Sequence, residues 1–402
     1  MTGRLTGADG CFGRRGEEGL ALVLALLIIV LLTAIVVDFT YEMQVEASFA
    51  EVHISDLEAY MAAKSAIASG LGVLAADLLI SEEDASYQNS EVVDSSEDAW
   101  ADGVPVVPVN QGVMQCKIED EYGKLNLNAL VIYPSDTRAG DVGQGQIEGI
   151  EMVDEYLREA LYTLFSVREP EEGSPEEMVD SIIDWLDFDD EPSVNGAETD
   201  YYSSLDPPYA AKNGPMDSIE ELLLIPGITP EFYFGDPDDE QVPLNKLLTV
   251  HGHPEGKLNI NTAELEVLEA YFSADEQIPD PYNEAVATLE RLEDMGPYTT
   301  VQELEEDGKI IPPADRRGER PAGANRGNNR ENGEDEEEII PFKPMLTLAS
   351  QVFRLYGDGQ SGDAKVRIEA YVWRDTGKMT DRGVEASGSE QMFRVIDWRV
   401  IR

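Results

Sequence analysis

The sequence predicts an α+β protein: a long N-terminal helix packed on an antiparallel sheet, with a large all-α domain inserted between the two. Three observations predict it. An apolar run near the N-terminus continues as a striped helix, the middle of the chain is helical in short pieces broken by Pro and Gly, and from residue 344 onward β-branched and aromatic residues alternate.

The N-terminal element comes first. Leu20 to Val37 holds no charge and a single hydroxyl, Thr33. As a helix this run spans roughly 27 Å, the thickness of a bilayer core. Arg14 and Arg15 precede it, while Asp38, Glu42 and Glu46 follow. The positive-inside bias then places the N-terminus in the cytoplasm and the bulk of the chain across the membrane. A cleaved secretory signal fits poorly, because Asp38-Phe39-Thr40-Tyr41 offers no small-x-small site, and Cys11 lies on the wrong side of the run for a lipoprotein signal. Past the run, Val45, Phe49, Val52, Ala59, Ala63, Ile67, Leu71, Leu74 and Leu78 recur every three or four residues, with one turn skipped at Asp56. No proline interrupts Leu20 to Leu79. The expected order is a transmembrane part over 20–40 and the first part of a globular domain over 41–122.

Residues Ser81 to Asp102 are acidic and serine-rich and read as an exposed loop, and Val113 to Glu119 reads as a strand. Helices are expected at Gly149–Phe165, Pro175–Trp185, Ser218–Leu224, Thr262–Phe272, Tyr282–Glu293 and Thr300–Glu306, with Asn128 and Thr262 as N-caps. Gly123-Lys-Leu-Asn-Leu-Asn128 recurs as Gly256-Lys-Leu-Asn-Ile-Asn261, so the inserted domain, 123–308, divides into related units of about 123–255 and 256–308. Arg316 to Glu338 is almost free of large apolar residues, which makes 309–343 a disordered linker. The remainder, 344–402, carries strands at Leu348–Tyr356, Lys365–Arg374 and Met392–Arg399, with turns near Gly357-Asp358-Gly359 and Thr376-Gly377.

Charge narrows the function. The 402 residues carry 81 acidic against 29 basic side chains, a formal net charge of −52, which repels a phosphate backbone and makes nucleic acid a poor partner. Ile225-Pro226-Gly227-Ile228 has the look of a helix-hairpin-helix turn, but Thr229, Pro230 and Glu231 follow in place of basic residues, so it reads as an interhelical turn. No nucleophile elbow, zinc-protease motif or phosphate loop is present, and the chain reads as a non-enzyme. His251 and His253 lack the further ligands of a zinc site, and Cys116 reads as a buried strand residue. The candidate site is acidic: Asp187, Asp189, Asp190, Glu191, Glu198 and Asp200 supply hard oxygens in a loop broken by Pro192 and Gly196. Ca²⁺ takes six to eight such oxygens and tolerates irregular loops, although the EF-hand spacing is missing here.

Several segments carry a family resemblance. Arg14-Arg15-Gly16-Glu17-Glu18-Gly19-Leu20-Ala21-Leu22-Val23 resembles a type IV prepilin leader. Asp120-Glu121-Tyr122-Gly123-Lys124-Leu125-Asn126-Leu127-Asn128, Ile183-Asp184-Trp185-Leu186-Asp187-Phe188-Asp189-Asp190-Glu191-Pro192 and Leu205-Asp206-Pro207-Pro208-Tyr209 resemble segments of the K subunit of type II secretion systems, a minor pseudopilin. The resemblance implies a pilin-like fold and cleavage by prepilin peptidase after Gly19, which leaves Leu20 as a methylated N-terminus. A cut after Gly16 is the alternative and would leave two Glu residues at the membrane surface. Most pilins carry Glu at the fifth mature position; here it is Leu24, as in K subunits, which implies a place at the filament tip. Further implications are an inner-membrane location, Ca²⁺ as a structural cofactor, and contact with lipid. Its implied partners are the I- and J-type minor pseudopilins, the major pseudopilin and the inner-membrane secretion platform, and its implied role is pseudopilus initiation and export of folded proteins across the outer membrane. The competing reading is a helix-hairpin-helix DNA receptor of a competence pilus.

Overall fold

One unbroken helix, α1 (Arg14–Glu83), carries the apolar run and its striped continuation. The computed structural model describes residues 14–83, 92–132, 152–168, 170, 172–235, 242–275, 278–309, 345–375, 379–380, 383–384 and 392–401. Most of the expected leader, most of the expected linker at 309–343 and the expected turn at Thr376-Gly377 lie outside the described residues. Leu20 to Val37 is exposed along its length and is long and apolar enough to cross a membrane. The stripe predicted from Val45 onward packs later than expected. Phe49 and Val52 are exposed, and continuous burial begins at Ala59, because the sheet reaches only to that level of the helix.

That sheet has five antiparallel strands in the order β1 (Val104–Val109), β2 (Gly112–Asp120), Val352–Ser361, Ala364–Arg374 and Phe393–Ile401. Strand β1 escaped the sequence reading because Pro105 and Pro108 argue against a strand; both are tolerated at the sheet's edge, where no donor is needed on the outer side. Its inner face (Cys116, Ile118, Phe353, Leu355, Val366, Ile368, Ala370 and Val372) buries against Ala59, Ala63, Ala66, Ile67 and Leu74 of α1. Gly357 and Gly359, expected at a turn, lie within a strand instead. A Cβ on Gly359 would stand 2.0 Å from the Ala59 carbonyl oxygen, so these glycines let the helix backbone lie directly on the sheet. The chain turns farther on, at Gly362.

A second, larger core gathers the helices between the sheet's second and third strands: α2 (Glu155–Val167), α3 (Pro175–Leu186), α4 (Thr199–Ser203) and those that follow, to Val301–Glu306. The sequence echo has a structural counterpart. Leu125–Asn126 pairs in parallel with Leu248–Thr249, and Leu258–Asn259 pairs in parallel with Leu346–Thr347. In each copy the last Asn clamps a remote backbone with both amide ends: Asn128 grips Met216, and Asn261 grips Tyr298. Neither expected cap acts as one. The turn at Leu127–Ala129 is capped by Asn126, and Thr262 donates instead to Asp120 at 2.6 Å. Ile225 to Ile228 forms the turn between Ile219–Leu224 and Pro230–Phe234, with Gly227 at φ 80°.

Candidate cation-binding site

Helix α3 starts from a full capping box, with Ser174 and Glu177 exchanging hydrogen bonds and Pro175 in its first turn. It is buried nearly all round. Met178, Ile182 and Leu186 enter the core, while Trp185 donates from Nε1 to Glu221 at 3.0 Å. Two carboxylates share this burial. Asp180 accepts from Arg158 Nη2 at 3.0 Å and from Asn195 Nδ2 at 3.0 Å. Asp184, one turn on and fully buried, accepts from the Ser193 backbone N–H at 3.1 Å. The two bonds draw the loop after α3 back along the helix. Gly196 permits the approach, since a Cβ there would stand 1.9 Å from Asp184 Oδ2.

The returning loop delivers Glu198 to the head of α4, where it accepts from the Thr199 N–H. One oxygen each of Asp184, Asp187 and Glu198 then lie within 4.8 Å of one another. Neither Asp184 nor Glu198 is ion-paired among the described residues, and Oε1 of Glu198, a residue 4 % exposed, is buried without a hydrogen-bond partner. Burial, and then the charge of Asp184, push Glu198 up to about 7. Burial also raises Asp184, partly offset by the Ser193 N–H. Asp184 and Glu198 are thus buried acids without a positive partner among the described residues. Oxygens of one Ca²⁺ shell stand at most about 5 Å apart, given Ca–O distances of 2.3–2.6 Å, so the donor set and its spacing fit a hard divalent cation.

Of the six acidic residues singled out in the sequence, the structure gathers Asp187 and Glu198. Asp189 is exposed and accepts from the Glu191 N–H at 2.7 Å, Asp190 accepts from Asn213 Nδ2 at 3.2 Å, and Glu191 and Asp200 are exposed. Asp184 was not in the set. Its signal was present, because an Asp between Ile183 and Trp185 on a core helix must answer for its own burial.

A second trio, Asp77, Asp94 and Asp98, also brings three carboxylate oxygens within 4.8 Å. It has a cation of its own. Fully buried Arg374 donates from Nη2 to both oxygens of Asp94 at 2.6 and 2.7 Å and to the Ser350 carbonyl at 2.8 Å, and its Nη1 lies 3.6 Å from Asp77. Asn259 donates to the Asp94 carbonyl at 3.1 Å and to Asp120 at 3.1 Å, which ties the trio to the helical core.

A helix long and apolar enough to cross a membrane, laid on an antiparallel sheet with a helical domain inserted in the sheet's sequence, is a pilin-like α+β architecture. The model of the type II secretion system protein K family matches residues 123–234. Type II secretion system protein K of Pseudomonas aeruginosa is 29% identical over 270 residues, covering 65% of this chain and 70% of that one; its namesake from Aeromonas hydrophila is 29% identical over 254 residues, covering 63% and 69%. The crystal structure of the GspK–GspI–GspJ complex from enterotoxigenic Escherichia coli is similar in fold, with a TM-score of 0.52 at 18% identity over 89% of this chain and 99% of that chain. Residues 123–234 thus match the protein K family, and the chain as a whole is similar to the minor pseudopilins of type II secretion.

Proposed function

We propose that this minor pseudopilin is held in the inner membrane by Leu20–Val37, is trimmed after Gly19 by prepilin peptidase, and caps the periplasmic pseudopilus together with I- and J-type subunits. The observation that carries the reading is α1. Its first turns after Gly19 are wholly apolar and exposed, with Leu24 at the fifth position. A helix with no acid there needs no neighbour's amine to neutralise it in lipid, which suits a subunit with none above it. The structure of similar fold is of a complex of K, I and J subunits, which supports the choice of partners. In this role the chain starts the filament and serves export of folded proteins without catalysing a reaction.

Ca²⁺ is its proposed structural cofactor, held by Asp184, Asp187 and Glu198. When bound, it supplies positive charge to the buried Asp184 and Glu198 and ties the end of α3 to the start of α4. The test of the assembly is to co-express the full chain with the I- and J-type subunits of the same secretion system, extract the membranes, and isolate the chain. Co-isolation of both subunits with a mature N-terminus at Leu20 is expected. A start near Thr40, or isolation without either subunit, overturns the reading.

A further inference from the structure

Both flanks of the acidic loop are tied down, and by different means. Asp180 and Asp184 hold the returning limb through Ser193 and Asn195. The outgoing limb, which leaves α3 at Asp187, is held by Asn213. Asn213 Nδ2 donates to the Asp189 carbonyl oxygen and to Asp190 Oδ1 at 3.2 Å. Its neighbour Gly214 donates from its backbone to the Trp185 carbonyl at 3.3 Å, which registers this segment against the end of α3. Asn213 sits at φ 47°, one of two non-glycine residues with positive φ among the described residues. Asn tolerates that conformation better than most residues. The orientation of its amide follows from its surroundings, since a flipped amide would set Oδ1 against two acceptor oxygens. In the orientation present, Oδ1 is buried with no hydrogen-bond partner.

We propose that Asn213 is the positioning residue of the cation site and that Asp190 is its anchor and not a ligand. The inference rests on the Ca²⁺ reading given above. Asn213 fixes residues 189 and 190, and through them the direction in which Asp187 leaves the helix toward Asp184 and Glu198. A preorganised loop pays less ordering cost on binding, and partners that orient ligands carry about ten- to a hundredfold in metal affinity.

The experiment is a Ca²⁺ titration of the full chain in detergent, followed by calorimetry at fixed ionic strength, with melting temperatures recorded in chelator. Asn213→Gly keeps the backbone conformation accessible and deletes the clamp. It is expected to bind about tenfold more weakly while its melting temperature in chelator stays at the wild-type value. Asn213→Asp, which loses the donor and adds an oxygen, is also expected to bind more weakly. Asp190→Asn retains the acceptor and is expected to bind as wild type, whereas Asp190→Ala should weaken binding; this pair decides the matter even if the variants at 213 fail to fold. Wild-type affinity in Asn213→Gly overturns the proposal. So does tighter binding by Asn213→Asp, which would make Oδ1 a ligand, or an equal loss in Asp190→Asn and Asp190→Ala, which would make Asp190 one. Absence of saturable binding by the wild-type chain removes the Ca²⁺ reading itself, and the proposal with it.

Discussion

The two carboxylate trios meet the same electrostatic problem and solve it differently. At Asp77, Asp94 and Asp98 the chain supplies its own cation, Arg374, and surrounds it with Ser350, Asn259 and Asp120. At Asp184 and Glu198, beside Asp187, the hydrogen bonds come from backbone amides, and a buried oxygen of Glu198 is left over. Each trio brings three carboxylate oxygens within 4.8 Å of one another. Proximity of acids therefore does not by itself mark a metal site. What separates the two is whether the fold has already brought a positive group to the centre, because a buried charge persists only when it is paired or coordinated.

The comparison can be broken most directly at Arg374. Arg374→Ala strands the Asp94 carboxylate in a fully buried setting, and we predict a loss of about 3–5 kcal/mol in urea unfolding. Added Ca²⁺ should not restore it. A loss under 1 kcal/mol would mean that the guanidinium is not what holds this trio together.

Calcium sharpens the other side. In the part of the chain started near Tyr41, saturating Ca²⁺ should stabilise the fold by about 2.7 kcal/mol at a hundredfold excess over Kd. Asp184→Asn combined with Glu198→Gln should remove that gain, and Asp77→Asn should leave it intact. With a surface this acidic, matched ionic strength is the necessary control, because screening also stabilises. If the gain follows Asp77 instead, the assignments of the two trios are reversed.

The smallest effect concerns pH. Burial first, and then the charges of Asp98 and Asp94, push Asp77 up to about 7 from an ordinary 3.8, with Arg374 pulling the other way. Asp77 lies about 60 Å along the helix beyond Val37, clear of the apolar run. A carboxyl raised in the folded state binds its proton more tightly there than in the unfolded chain. Its contribution is therefore fully present below pH 3.8 and is lost as pH rises through 7. Asp77→Asn should flatten this part of the stability profile and leave the protein more stable than wild type at pH 8 by about 1–2 kcal/mol. An unchanged slope between pH 4 and pH 8 in thermal melts would assign the pH dependence to other groups.

Much of this molecule is legible in its sequence where the information is local. The apolar run, the α1 stripe from Ala59, the capping box of α3 and the alternation in the late strands each depend on residues a few positions apart, and periodicity reports them directly. Local signals misled where a neighbouring element overruled them. Pro105 and Pro108 sit in a strand because that strand is an edge. Gly357 and Gly359 sit in a strand because α1 presses on it. Thr262, a plausible cap, is taken by Asp120.

The membrane-length apolar helix, the class of fold and the acidic segment after α3 are legible from the chain alone, because helix period, strand period and composition are properties of short stretches. Only the tertiary structure decided which acids meet. It brought Arg374 to Asp94 across 280 residues, and it gathered Asp184 and Asp187 beside a Glu198 oxygen that is buried with no hydrogen-bond partner. The physical reason is that pairing of a buried charge is settled by which remote elements close against each other, and nothing in the spacing of the acids along the chain records that closure.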